Sequence, residues 1–133
     1  MSNPSNKKES TFSSKEIAYL QSQHLGRIAT VGPDNQPHVV PVSVRYNPET
    51  GTIDISGHGF AQRKKWRDVQ HNNKVAVVID DVVSFNPWTV RGVEIRGTVE
   101  VLMTGGQTVS PYFDPEMFRI TPTRVVSWGL DES

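Results

Sequence analysis

The segment Thr52–His71, TIDISGHGFAQRKKWRDVQH, decides the fold because it carries the chain from a strand into a basic helix. Thr52–Ser56 has the alternating apolar pattern of a short strand, and the Gly-His-Gly sequence at 57–59 ends it. Phe60–His71 is predicted to be helical, with Arg63–Lys65 near its start. A helix start is already electropositive, so cations there are unfavourable unless an anion joins them. The segment predicts either an anion site at the helix start or a solvated charged face.

Short apolar runs separated by turn sequences lie on both sides of this segment. A capping box formed by Ser13 and Glu16 begins an N-terminal helix that is expected to end near Gln23. Gly92 and Gly97 suggest bulges within a long strand. The predicted strands are Leu25–Val31, Pro37–Tyr46, Thr52–Ser56, Lys74–Asp80, Val90–Leu102 and Thr123–Trp128. We therefore predict a mainly β fold, a six-stranded antiparallel barrel with an N-terminal helix and one inserted helix.

Two further expectations concern the strands. Pro37–Tyr46 carries apolar side chains on both faces near its start, which indicates burial on both sides. The residues that follow Asp80, including Phe85 and Trp88, are expected to form a loop, as is Thr104–Asp114.

Composition limits the classes of protein that the chain can represent. Its 133 residues contain 14 Lys and Arg, 14 Asp and Glu and no cysteine, so disulfides and thiolate metal sites are excluded. Zero net charge argues against a nucleic-acid or membrane-surface protein. No membrane span or signal peptide is evident, which favours a cytoplasmic location. We expect a disordered tail over residues 1–11 and a single domain over 12–131.

No standard catalytic motif is present in the sequence. The histidines lack metal-ligand spacing, and His24, His38 and His71 are interpreted as structural. His58 lies beside the basic cluster and is the one candidate for a catalytic role. If the protein is an enzyme, an organic cofactor is therefore expected to carry the chemistry.

The order of several segments resembles a known superfamily. These segments are GRIATVGPDNQPHVVPV (26–42), RKKWRDV (63–69) and KVAVVID (74–80). Together they resemble the split-barrel flavin-binding superfamily of pyridoxamine 5′-phosphate oxidase and its deazaflavin-dependent relatives. NPWTVRGVEIRG (86–97) and RITPTRVVSWGL (119–130) are similar to its coenzyme F-420-dependent oxidoreductase branch. The resemblance implies a six-stranded antiparallel split β-barrel.

The resemblance also implies roles for individual residues. Arg63 and Lys65 match positions that hold the cofactor phosphate, with Lys64 as a helper and the Ser56-Gly57 strand end beside them. Helical spacing puts Lys65 near the apolar side of its helix, where it needs a partner such as a phosphate. The remaining positions implied at the cofactor are Val40, Pro41 and Val42 along the ring and Trp88 and Trp128 from the loop or a neighbouring subunit.

The favoured hypothesis is a reductase that uses coenzyme F-420 for hydride transfer to a conjugated small-molecule acceptor. Three adjacent cations exceed the need of one phosphate, which favours this longer anionic cofactor. The resemblance further implies a homodimer with the cofactor at the subunit interface, and no metal, membrane or nucleic-acid partner. The alternatives are a flavin mononucleotide (FMN)-dependent oxidoreductase, a non-catalytic flavin- or deazaflavin-binding protein, and a barrel that binds single-stranded nucleic acid through its basic helix.

Overall fold

The structure, a computed structural model, describes residues 11–130. The tail expected over residues 1–11 lies outside that range except for its last residue, as does residue 131. Six antiparallel strands form a closed barrel in the order β1-β2-β3-β6-β5-β4. The predicted mainly β fold with an N-terminal helix and an inserted helix is confirmed.

The bounds of the elements follow the chain order. The strands are β1 (Leu25–Val31), β2 (Pro37–Asn47), β3 (Thr52–Ser56), β4 (Lys74–Phe85), β5 (Trp88–Leu102) and β6 (Met117–Trp128). The helices are α1 (Ser14–Gln21) and α2 (Lys64–His71), with short 3-10 turns at Phe60–Gln62 and Gly106–Thr108. No helix within residues 11–130 is long and apolar enough to cross a membrane.

Three expectations about the strands were wrong. β4 continues to Phe85 and pairs with Trp88 of β5, so the expected loop is a tight hairpin. β6 begins at Met117, because its first residues pair with both β3 and β5. The start of β2 is partly exposed, with Val39 64% exposed, so it is not buried on both sides within one chain.

The two glycines of β5 have different roles. The ladder to β6 shifts register between Arg96 and Gly97, which confirms the bulge predicted there. No register shift is found at Gly92. A Cβ atom at Gly92 would lie 2.6 Å from the Trp128 ring and 2.7 Å from Asp80 Cβ. Gly92 therefore makes room for the Trp128 ring.

Helix α1 is fixed to the β4–β5 ribbon by a polar cluster. The predicted capping box is present, with Ser13 and Glu16 each bonding the other's backbone N–H. Tyr19 donates a hydrogen bond of 2.8 Å to Asp81, which also accepts two from Arg91 at 2.8 and 3.1 Å. Burial and the bond to Asp81 raise the pKa of Tyr19, while the bonds from Arg91 lower the pKa of Asp81. The raised pKa keeps Tyr19 protonated as a donor, and the lowered pKa keeps Asp81 ionised as the acceptor.

A second polar network joins β3 to β6 inside the fold. Asp54 is fully buried and accepts hydrogen bonds from Asn47 at 2.9 Å and Thr52 at 2.9 Å. Arg119, its direct neighbour on β6, completes the network with two bonds of 3.3 and 3.2 Å. The carboxylate is tolerated there because its charge is compensated and its oxygens are bonded.

Arg119→Met should lower the free energy of unfolding by about 3–5 kcal/mol, because Asp54 would stay buried without its counter-charge. Urea unfolding would measure the loss. Arg96→Met is the matched control, since Arg96 is 57% exposed in its pair with Glu94 and should cost less than about 1 kcal/mol. Similar losses in both variants would contradict the importance of the buried pair.

Candidate functional site

A cleft of about 520 Å³ lies where β2 and β3 meet the start of α2. β2 and β3 supply its strand walls, and the Gly-His-Gly turn brings the chain over to the helix. The residues that line the cleft are His38, Val40, Pro41, Val42, Ser43, Ser56, Gly57, His58, Phe60, Arg63, Lys64, Lys65 and Phe113. This set has apolar side chains along β2 and cations at the helix.

The structure brings most of the predicted site residues together in this cleft. Val40, Pro41 and Val42, the 56–58 strand end, and the cations at 63–65 all line it. Trp88 and Trp128 do not. Trp88 is 65% exposed in the β4–β5 hairpin, and Trp128 lies against Gly92 on the neighbouring strand.

Lys65 is the residue whose environment most needs a ligand. Its side chain is only 9% exposed, and its ammonium lies 5.0 Å from the centre of the Phe60 ring. No hydrogen bond or ion pair of Lys65 is found within residues 11–130. Burial, and secondarily the charge of Arg63, lowers the pKa of Lys65 below its ordinary 10.5. A buried cation without an anionic partner is unfavourable, and an anion in the cleft would relieve it.

The start of α2 presents further donors to the same cleft. The predicted helix over Phe60–His71 is interrupted, because Arg63 has an extended backbone (φ −84°, ψ 157°) and the α-helix begins at Lys64. No side chain caps this end, so the first-turn N–H groups of α2 have no side-chain acceptor. The Arg63 guanidinium donates to the His58 carbonyl at 3.1 Å, which holds it beside the glycine turn.

Lys64 is engaged differently from its neighbours. Its ammonium lies 3.0 and 3.3 Å from the two oxygens of Asp68, which is 2% exposed. Thr30 donates a bond of 2.8 Å to the same carboxylate. Burial opposes ionisation of Asp68, yet the bonds from Lys64 and Thr30 hold its pKa below the ordinary value. Lys64 is therefore already paired with Asp68, although it also lines the cleft, and its expected role as a helper at the phosphate stays a prediction.

The hydroxyl of Ser56 is also engaged. It donates to the carbonyl of Glu116 at 2.6 Å, while the N–H of Phe60 donates to the Asp114 carboxylate at 3.2 Å. The N–H of Asp114 donates to the Gly57 carbonyl at 3.1 Å. These bonds fix the segment before β6 against the strand end and place Phe113 edge-on to His58, with ring centroids 5.2 Å apart.

Sequence reasoning missed four residues of the cleft: His38, Ser43, Phe60 and Phe113. His38 was interpreted as structural, but it lies half-buried in the cleft wall. Strand alternation offered a signal, because His38 shares a face of β2 with Val40 and Val42. Phe113 gave no such signal, since it reaches the cleft from a loop far along the chain. Within residues 11–130, no three His, Asp or Glu side chains gather as a metal site would need.

Comparisons with known proteins agree with this architecture. A family model described as pyridoxamine 5′-phosphate oxidase matches residues 14–128. A protein of Streptomyces rimosus named 5a,11a-dehydrotetracycline/5a,11a-dehydrooxytetracycline reductase is 47% identical over 120 residues, which cover 90% of this chain and 84% of that protein.

Two solved structures share the fold. A FAD binding protein from Mycobacterium smegmatis has a TM-score of 0.64 at 21% identity, covering 90% of this chain and 96% of that one. A protein described as an F420 reductase has a TM-score of 0.67 at 20% identity, covering 86% and 98%. At these identities the likeness shows the fold alone.

Lys65→Met should leave the stability of the ligand-free protein at neutral pH unchanged or raise it, because it removes a desolvated cation and keeps the side-chain volume. The folded pKa of Lys65 lies below 10.5, so its contribution to stability rises as pH increases towards that value. Lys65→Met should lose this alkaline rise, measured by urea unfolding across pH. Lys74→Met, at an exposed lysine, is the control and should keep it. Strong destabilisation of Lys65→Met at neutral pH would show that Lys65 serves mainly the fold.

Proposed function

The chain belongs to the pyridoxamine 5′-phosphate oxidase family, and from that membership we propose that it is a reductase with a flavin-type cofactor in the cleft beside α2. The proposed cofactor is the deazaflavin coenzyme F-420, with FMN as the alternative. The observation that carries the proposal is buried Lys65, whose ammonium has no hydrogen bond or ion pair within residues 11–130 and lies at the start of a helix without a side-chain cap from that range.

The residues of the cleft fit an anionic group attached to a flat ring. Arg63, Lys65 and the first-turn N–H groups of α2 would bind a phosphate, since charge-assisted hydrogen bonds at a helix start suit phosphate oxygens. Val40 and Val42 offer apolar surface for a ring, and Pro41 leaves one backbone position without a donor.

When bound in its reduced form, such a cofactor supplies a hydride to an electron-poor conjugated bond. The protein would hold the cofactor ring along β2, orient the acceptor against the open face of that ring and exclude water from both. The matching proton would come from solvent or from His58, which lies in the cleft wall against Phe113. No other residue is proposed as catalytic.

The choice of coenzyme F-420 rests on the segments 86–97 and 119–130, which are similar to the F-420-dependent branch. The number of cations no longer supports that choice, because Lys64 is paired with Asp68. FMN therefore stays a candidate, as does a protein that carries the cofactor without turnover.

The acceptor is proposed from the similar reductase of S. rimosus, whose name specifies dehydrotetracyclines. We propose that this chain likewise reduces a carbon–carbon double bond conjugated to a carbonyl in a polycyclic compound. An apolar wall along β2 suits such an acceptor, which would lie against the ring of the cofactor.

A homodimer is proposed to complete the cleft. Val39 and Leu25 are 64% and 58% exposed on β2 and β1, and Pro41, which also lines the cleft, lies between them opposite Arg27. Burial of such a surface against a second copy would stabilise the pair. Trp88 and Trp128 lie outside the cleft of their own chain, so a role at the cofactor requires that they reach the cleft of the partner.

Titration of the purified protein with coenzyme F-420 and FMN tests the cofactor. We expect tighter binding of coenzyme F-420, followed by fluorescence, and reduction of a dehydrotetracycline by the reduced coenzyme. Arg63→Gln and Lys65→Met should each weaken binding by about 1.5–3 kcal/mol, roughly tenfold to a hundredfold.

Arg67→Gln is the matched control, because Arg67 is exposed and bonds only the Gln62 carbonyl among the described residues. Tighter binding of FMN would overturn the choice of coenzyme. Unchanged affinity in both Arg63→Gln and Lys65→Met would show that the basic cluster is a solvated face. Cofactor binding without any reduction of the acceptor would favour the alternative of a protein that carries the cofactor without turnover.

Light scattering tests the assembly. We expect the mass of a dimer at micromolar concentration, with an interface above the roughly 1,000 Å² of a specific contact. Val39→Asp should shift the protein towards the monomer, because it would bury a charge in the interface. Met103→Asp, at an equally exposed apolar residue after β5, should not. A monomeric parent protein would contradict the proposed shared cleft.

A further inference from the structure

We propose that Asp68 sets the anion specificity of the cleft by keeping the Lys64 ammonium in an ion pair, so that of the three cations lining the cleft only Arg63 and Lys65 bind the phosphate of the ligand. Asp68 would thus be a specificity-determining residue that does not itself touch the ligand. The inference rests on the proposed function, because it concerns the anion that the cofactor presents to this cleft.

Asp68 is built into the fold as a fixed counter-charge. It is 2% exposed, and Thr30, which is fully buried on β1, donates to it at 2.8 Å. A Cβ atom at Gly32 would collide with the Asp68 carboxylate, so the absence of a side chain at position 32 makes room for that carboxylate. The position of the negative charge is therefore determined by β1 and the turn after it, as well as by α2.

The Lys64 side chain runs along α2 towards Asp68, which lies one turn further along the helix. Side chains of a helix lean towards its N-terminus, which for Lys64 is the direction of the anion site. Its ammonium instead lies 3.0 Å from Asp68, one turn towards the C-terminus. A Lys-to-Asp pair in this order gains nothing from the helix dipole, so the buried carboxylate must provide the attraction.

The remaining cations differ from Lys64 in this respect. Lys65 has no ion pair within residues 11–130, and Arg63 bonds only a neutral carbonyl. A phosphate in the cleft could therefore bind to the Arg63 guanidinium and the Lys65 ammonium. Recruiting Lys64 as well would leave Asp68 buried without its counter-charge, which is strongly unfavourable. The cleft therefore matches the charge of a single phosphate group, and a longer anion gains no third cation.

The test is a mutant cycle of Lys64→Gln, Asp68→Asn and the double variant. The probes are FMN, followed by fluorescence, and inorganic pyrophosphate, followed by calorimetry, each at about 0.02 M and about 0.2 M salt. Lys64→Gln should be less stable and should bind both probes more weakly than the parent protein, because it leaves the Asp68 carboxylate without its counter-charge beside the cleft. Asp68→Asn should bind them about two- to fivefold more tightly at low salt, as expected for one added exposed ion pair.

The gain in Asp68→Asn should be larger for pyrophosphate, which has more charge to satisfy, and should fade at high salt. In the double variant the affinity should return to that of the parent, because the freed lysine is gone. Thermal unfolding of each variant reports separately on the loss of the Thr30–Asp68–Lys64 bonds.

Three results would overturn the inference. In the first, the double variant weakens binding as much as Lys65→Met does. In the second, the gain of Asp68→Asn persists in the double variant. In the third, Asp68→Asn is less stable but binds as the parent does, which would make Asp68 purely structural. If Asp68→Asn does not fold, the double variant, which removes both charges, decides. A parent protein that binds pyrophosphate but neither cofactor would refute the proposed function and leave the inference testable.

Discussion

Closure of the sheet is the constraint on which the rest of the structure depends. The barrel closes through a short ladder in which Arg27, Ile28 and Ala29 of β1 pair with Val78, Val77 and Ala76 of β4. Gly26 allows this approach, because a Cβ there would lie 2.9 Å from the Ile79 side chain. Closure fills the interior with branched and aromatic side chains such as Ile53, Ile95 and Phe118. A small filled barrel has no room for a ligand, so the binding surface must lie outside it, where α2 crosses the strand ends.

The buried charged groups separate into two kinds, and the difference bears on function. Asp54 and Asp68 each accept several hydrogen bonds, including one from a cationic side chain. Lys65 is 9% exposed and its ammonium lies over the Phe60 ring, yet no carboxylate within residues 11–130 pairs with it. Evolution of a purely structural core would favour methionine or leucine at such a position. An uncompensated charge in an otherwise satisfied fold is therefore evidence for a ligand.

Local signals predicted the barrel, whereas most residues of the cleft were expected from the family resemblance. Alternation predicted the strands, and the glycine turn at 57–59 predicted a helix after it, although α2 begins at Lys64 and not at Phe60. What the sequence missed depends on distant parts of the chain. The early start of β6 at Met117 requires β3 and β5 as partners, and the pairing of Lys64 requires Thr30 and the space at Gly32. Such contacts become visible only after the strands have been placed beside one another.

The start of β2 shows how a wrong expectation can still carry information. Its apolar residues occupy both faces, which predicted burial on both sides, but in one chain Val39 is mostly exposed. One face, which includes His38 and Val40, contributes to the wall of the cleft. The other face carries exposed Val39 and lies beside exposed Leu25 and Arg27 of β1. A strand that lines a binding cleft with one face and contacts a second copy with the other is expected to carry apolar side chains on both faces. The proposed homodimer would bury the second face. The prediction that β2 is buried on both sides would then hold for the dimer, although it is wrong for the single chain.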